Sequence, residues 1–163
     1  MPQIYIGYDN GVSGAACAIS DHDGSVISYT PMPVKRGRNA NEVDVRALWE
    51  WLSVTTAERP HDALHVIEEP GGSKSASAAK SMAGSFHALR AMVELKSLPW
   101  ERITPQKWQK EMIPGKGDTK NRAKARAMER WPDETFILPR CRVPHNGVID
   151  AALIAEYARR TRL

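Results

Sequence analysis

Residues 3–29 read QIYIGYDNGVSGAACAISDHDGSVISY, and this stretch decides the fold class. Its opening, QIYIGYD, alternates apolar and polar side chains as far as Asp9, where Asn10-Gly11 breaks the run. Residues 14–20, GAACAIS, are small and apolar and suit a second strand lying against a close neighbour. Asp21-His22-Asp23-Gly24 makes a turn, after which Val26 to Tyr29 resume extended structure. Three strands joined by short turns predict a meander.

Further along, Pro31, Pro33 and the basic run through Arg38 read as a surface loop over residues 30–41. Asn41 can cap a helix from Glu42 to about Thr56, with Val45, Leu48, Trp49 and Leu52 at helical spacing. Residues 63–68, ALHVIE, are a fourth strand between Pro60 and Pro70-Gly71-Gly72. Met82 to Leu95 carry a helical pattern, and Trp100 to Ile103 make a fifth strand. Thr104-Pro105 opens a helix through Met112, which Pro114-Gly115-Lys116-Gly117 ends. Asp118 or Thr119 then starts a basic helix ending at Trp131-Pro132, and residues 147–160 form the last helix. The order βββ-α-β-α-β-α-α-α, with no repeat and no long linker, predicts one domain over residues 1–163. Its class is α/β, a mixed five-stranded sheet flanked by helices.

With 42% apolar and 26% charged residues in 163, the composition excludes a disordered tail, a collagen-like fibre and a disulfide-dense secreted module. No run approaches the ~18–20 apolar residues of a membrane span, and the N-terminus lacks a basic-then-apolar signal, so no membrane partner is expected. Cys17 and Cys141 alone suggest neither a disulfide framework nor a thiolate metal site. The expected compartment is the cytoplasm of a bacterial or phage-infected cell, an organelle remaining open.

The net charge of +4 is unevenly spread. Residues 39–70 carry a local net of −5, whereas residues 116–130 carry +4 through Lys116, Lys120, Arg122, Lys124, Arg126 and Arg130 against Asp118 and Glu129. Lys35, Arg36 and Arg38 add a basic loop, and the pI is 9.2. Clustered bases of this kind are the footprint of a polyanion binder, or simply of a solvated helix face.

Three carboxylates sit at element ends. Asp9 ends the first strand, Glu68 ends the fourth beside Glu69-Pro70, and Asp150 lies in the first turn of the last helix behind His145. Each has a plain structural reading: a turn starter, a solvated strand end, a favourable charge near a helix N-terminus. Together they suggest more, because clustered acids repel unless a cation neutralises them. Hard divalent ions take a few carboxylates plus water and phosphate oxygens, and a pair of them suits phosphodiester cleavage.

The segments IGYDNGVSGAACAI around Asp9, HVIEEPGG around Glu68 and HNGVIDAALIAEYARR around Asp150 resemble the RuvC-type Holliday junction resolvases of the RNase H-like superfamily, especially their phage-encoded and organellar branch. ITPQKWQKEM and DTKNRAKARAMERWP resemble the segments that lie between those motifs, in the same order. The resemblance implies an RNase H-like fold, a homodimer, two Mg²⁺ ions per site with Mn²⁺ as a substitute, and paired symmetric nicks in four-way DNA junctions. It makes Asp9, Glu68 and Asp150 metal ligands and catalytic residues, with Glu69 the less favoured neighbour of Glu68. Lys120 aligns with a lysine near the scissile phosphate, and His145 is a candidate aid at the metal or general base, or else structural.

The position four before the last acid is usually acidic in such proteins, but here it is Asn146. Its carboxamide oxygen can still ligate, without charge. Natural divergence, an inactivating substitution and a helix N-cap all account for it. A non-catalytic junction-binding protein of the same fold is therefore the alternative function. An actin-like nucleotide-binding fragment is suggested only by Asp9-Asn10-Gly11. The DNA-contact candidates are Lys35, Arg36, Arg38, Lys74, Ser77, Lys80, Lys116, Lys120, Arg122 and Lys124. Trp49, Trp51, Trp108 and Trp131 read as core or interface residues.

Overall fold

The computed structural model describes residues 2–72 and 75–163. Strands β1 (Ile4–Asp9), β2 (Ala15–Ser20) and β3 (Val26–Pro31) form the expected antiparallel meander. Asp9 faces Ala15 across the first pair, and Ala15 faces Pro31 across the second. The segment expected to be a loop is instead a small hairpin, β4 (Val34–Arg36) with β5 (Asn41–Val43). Prolines on either side of Met32 hid it, since the strands are only three residues long and Val43 alone turns inward. The hairpin consumes Asn41, so helix α1 runs over Val45–Thr55 with Asp44 as its cap, accepting from the amides of Arg46 and Ala47.

After a 3-10 turn at Pro60–Asp62, β6 (Ala63–Glu68) runs parallel to β1. Helix α2 (Ala76–Leu95) begins six residues before the expected Met82. Ser75 accepts from the Ala78 amide and so caps an Ala-rich first turn that apolar periodicity does not reveal. Strand β7 (Trp100–Ile103) adds beside β6, followed by α3 (Pro105–Met112), α4 (Thr119–Arg130) and α5 (Asn146–Thr161). The sheet order is β3-β2-β1-β6-β7. The sheet is mixed because β2 alone runs against the other four.

Strand alternation sorts the core into two layers. Tyr5, Cys17, Ile19 and Val66 face α5, α4 and α3, while Ile6, Tyr8, Ala18 and Ile67 face α1 and α2. Helix α5 lies directly on β1 and β2 because Gly7 has no side chain: a Cβ there would stand 2.1 Å from the Ala151 carbonyl oxygen. On the other layer the buried His65 ring accepts from the Tyr8 hydroxyl at Nδ1 (2.9 Å) and donates from Nε2 to the Pro60 carbonyl (3.1 Å). Burial pushes its pKa down to about 4, so it stays neutral and structural.

Candidate active site

Asp9 follows Tyr8, and Tyr8 is registered against Ile67 in the parallel β1–β6 pair, so Asp9 and Glu68 end neighbouring strands at the same edge. By alternation both belong to the face that carries Tyr5 and Val66, the face covered by α5. Asp150 comes to that face from α5 itself, in the helix's second turn and not, as the sequence suggested, the first. All three acids therefore share one face and one end of the sheet. Gly147 permits the approach, since a Cβ at that position would lie 2.9 Å from Asp9 Oδ2 and 2.9 Å from the Gly14 backbone.

The electrostatics record how close the acids are. Burial, and then the charges of Asp150 and Glu68, hold the Asp9 carboxyl well above the usual range. Asp9 shares a hydrogen bond with Glu68 that favours a proton on Asp9 and ionisation of Glu68. Burial is also the main force raising Glu68, opposed by donors from Trp108 and Asp9. Asp150 is pushed up to about 7 by burial and by Glu68, with the Lys120 ammonium pulling the other way. Among the described residues, no three His, Cys, Asp or Glu side chains close into a ready-made coordination shell. The acids nonetheless form an oxygen-only, like-charged group short of positive charge, and that donor set fits a hard divalent cation.

The flanking candidates divide. Lys120 is exposed near the start of α4, which Asp118 caps through the amides of Lys120 and Asn121, and its charge reaches Asp150. His145 is the cap of α5, its Nδ1 accepting from the Val148 amide at 3.2 Å. That bond requires the neutral ring to carry its proton on Nε2, so a general-base role would have to break the cap. The cap reading of Asn146 is thereby corrected: Asn146 is the first residue inside α5, exposed and one turn above Asp150. Arg122, counted as a DNA contact, is folded back onto its own chain. Its guanidinium donates to the Ile113 carbonyl and, at 3.0 Å, to that of Gly115.

Ser77 and Lys80 are exposed on the first turns of α2, and Lys74 lies outside the described residues. Lys35, Arg36 and Arg38 are exposed on the hairpin. Lys116 and Lys124 are exposed before and along α4. Trp108, expected as a core or interface residue, is buried, and its Nε1 donates to Glu68 Oε1 at 2.7 Å. No local pattern exposes that bond, because the partners lie forty residues apart.

The strand order, with a meander followed by two parallel strands and helices on both faces, defines an RNase H-like α/β fold. The chain is similar over nearly its whole length to RuvC. Thermus thermophilus RuvC in complex with a Holliday junction substrate matches with a TM-score of 0.63 at 14% identity, covering 98% of this chain and 96% of that one. A second Thermus thermophilus RuvC structure matches with a TM-score of 0.57 at 13% identity, over 98% and 96% of the two chains. No family model and no curated protein matches the sequence. The fold is that of RuvC.

Proposed function

We propose that the protein is a divalent-cation-dependent, structure-selective DNA endonuclease that resolves four-way junctions by paired nicks. The observation that carries this reading is the convergence of Asp9, Glu68 and Asp150 on one face at one end of a RuvC-type sheet, with Lys120 set against Asp150. Asp9, Glu68 and Asp150, with the Asn146 carboxamide oxygen, would hold Mg²⁺ or Mn²⁺, which neutralises the acids and supplies Lewis acidity toward the phosphodiester.

The chain's own residues bring the phosphate there. Lys120 offsets the negative charge beside Asp150 and gives a phosphate oxygen a cationic partner. Lys116 and Lys124 extend that surface along α4, and Lys35, Arg36, Arg38, Ser77 and Lys80 offer contacts from the hairpin and α2. In the reaction water adds to phosphorus, the bond to the 3′ oxygen breaks and that oxygen takes a proton. The products are 5′-phosphate and 3′-hydroxyl ends. A homodimer with twofold symmetry would set two such sites against opposing strands of a nearly twofold junction.

The test is nicking of a labelled synthetic four-way junction in Mg²⁺, with junction binding followed by gel shift. Asp9→Asn is expected to abolish nicking and to leave binding intact or stronger, because one negative charge facing the phosphate is gone. The uncharged Asn146 favours a second reading, a junction-binding protein without cleavage. Tight junction binding without Mg²⁺- or Mn²⁺-dependent nicking by the parent would select that reading.

A further inference from the structure

We propose that Trp108 is a positioning residue for the acid cluster: its indole N–H holds one oxygen of Glu68 and leaves the other turned toward Asp9 for a divalent cation. The inference rests on the cation-binding reading above and extends it to a residue outside the acids. Glu68 ends β6 with a side chain long enough to adopt several rotamers. The 2.7 Å bond from Trp108 Nε1 to Oε1 selects one of them, and Asp9 meets the same carboxylate. An indole N–H only donates and does not titrate, so it holds the carboxylate in one orientation whether or not a cation is present.

The tryptophan cannot swing away. It is buried at 1% exposure in the layer that holds Met112, Ile113 and Ile103. Its helix α3 also lies against α5, which carries Asp150, so one rigid element braces two of the three acids. Trp131 supplies an internal comparison. Its buried N–H is satisfied by the Gly24 carbonyl at 2.7 Å, an ordinary backbone acceptor. Trp108 is satisfied instead by a carboxylate at a strand end, beside another acid. A hydrogen bond that orients a metal-ligating group typically changes metal affinity by about 10- to 100-fold when lost.

The experiment measures Mn²⁺ binding to the full-length protein without DNA, from the loss of the free Mn²⁺ electron paramagnetic resonance signal. The parent, Asp9→Asn and Trp108→Phe are compared. Trp108→Phe keeps most of the ring and removes the donor. It is expected to weaken Mn²⁺ binding about 10-fold or more while metal-free junction binding is unchanged. In the parent, the ¹⁵N-labelled Trp108 Nε1–H resonance should shift as Mg²⁺ is added and saturate with the occupancy of the site.

Mn²⁺ affinity within twofold of the parent in a folded Trp108→Phe protein overturns the proposal and leaves Trp108 as core alone. If Trp108→Phe fails to fold, benzothienylalanine at position 108, which replaces N–H by sulfur in the same shape, gives the same decision. Parent protein that binds no Mn²⁺ sensitive to Asp9→Asn overturns the cation reading and this proposal together. Parent binding that Trp108→Phe leaves intact overturns this proposal only.

Discussion

Asn146 is the residue at which sequence and site pull apart, and its position in α5 now sharpens the question. His145, not Asn146, supplies the acceptor that caps the helix, so the carboxamide is free of that duty. It stands one turn above Asp150 on the same helical face, where a fourth oxygen donor would stand. Asp is well tolerated in a first helical turn because its charge complements the helix dipole. Asn146→Asp should therefore fold, and in single-turnover assays it is expected to raise Mg²⁺-dependent junction nicking at least ~10-fold, equivalent to roughly 1.4 kcal/mol of barrier. The Mg²⁺ midpoint should fall with it. Equal rates and equal Mg²⁺ dependence would remove position 146 from the site. Asp9 and Glu68 were legible because strand ends and turn signals are local. Trp108 was not, because its bond to Glu68 exists only after β6 and α3 have come together.

At the scale of elements, those with long apolar periodicity were readable to within a residue or two, and α5 is the clearest example. Expected over residues 147–160, it spans Asn146–Thr161. The hairpin and the first turns of α2 escaped because short exposed strands and Ala-Ser-Lys turns bury almost nothing. The C-terminal half of α5 also contains a device that charge counting misses. Glu156 is fully buried, and Arg130, Arg159 and Arg160 surround it at 3.0, 2.8 and 2.8 Å, joining α5 to the end of α4. Arg130 and Arg159 also donate to the carbonyls of Asp23 and Asp21 in the β2–β3 turn. Burial alone would raise the Glu156 pKa, but the three guanidinium groups outweigh it and hold it down at about 2 from a usual 4.5. A depressed folded pKa contributes stability above pH ~4.5 and loses it as pH falls toward ~2, here on the order of 3 kcal/mol. Chemical denaturation of metal-free protein from pH 7 to pH 2.5 should show that acid limb. Glu156→Gln should be less stable by about 3 kcal/mol at pH 7 and should lack most of the limb. An unchanged acid limb in Glu156→Gln would assign the loss to other carboxylates.

Over the whole molecule, a pI of 9.2 overstates the cationic surface open to a partner. Arg122 is spent on backbone carbonyls, Arg126 on Glu129, Arg130, Arg159 and Arg160 on Glu156, and Arg162 on Asp21. Of the candidate DNA contacts among the described residues, Lys35, Arg36, Arg38, Lys80, Lys116 and Lys124 have exposed side chains with no ion-pair partner. They fall on both sides of the acids. The hairpin leaves β3 beyond Pro31, which is registered to Ala15 and through it to Asp9, and its base at Met32 and Val43 belongs to the α1–α2 layer. Helix α4 covers the opposite layer. A DNA backbone crossing the sheet end would meet lysines on α4 at one side and the hairpin at the other. Each phosphate neutralised releases counterions and contributes about −0.9 to the slope of log affinity against log salt. Replacing Lys35, Arg36 and Arg38 together by Ser should thus make that slope shallower by about 2–3 for a four-way junction, measured by fluorescence anisotropy. The same change should cost a linear duplex less, because one duplex cannot engage the hairpin and α4 of both proposed protomers at once. If junction and duplex lose equal slope, the hairpin is only a general basic surface. If neither changes, DNA does not reach it, and the phosphate path must run along α4 and α2 alone.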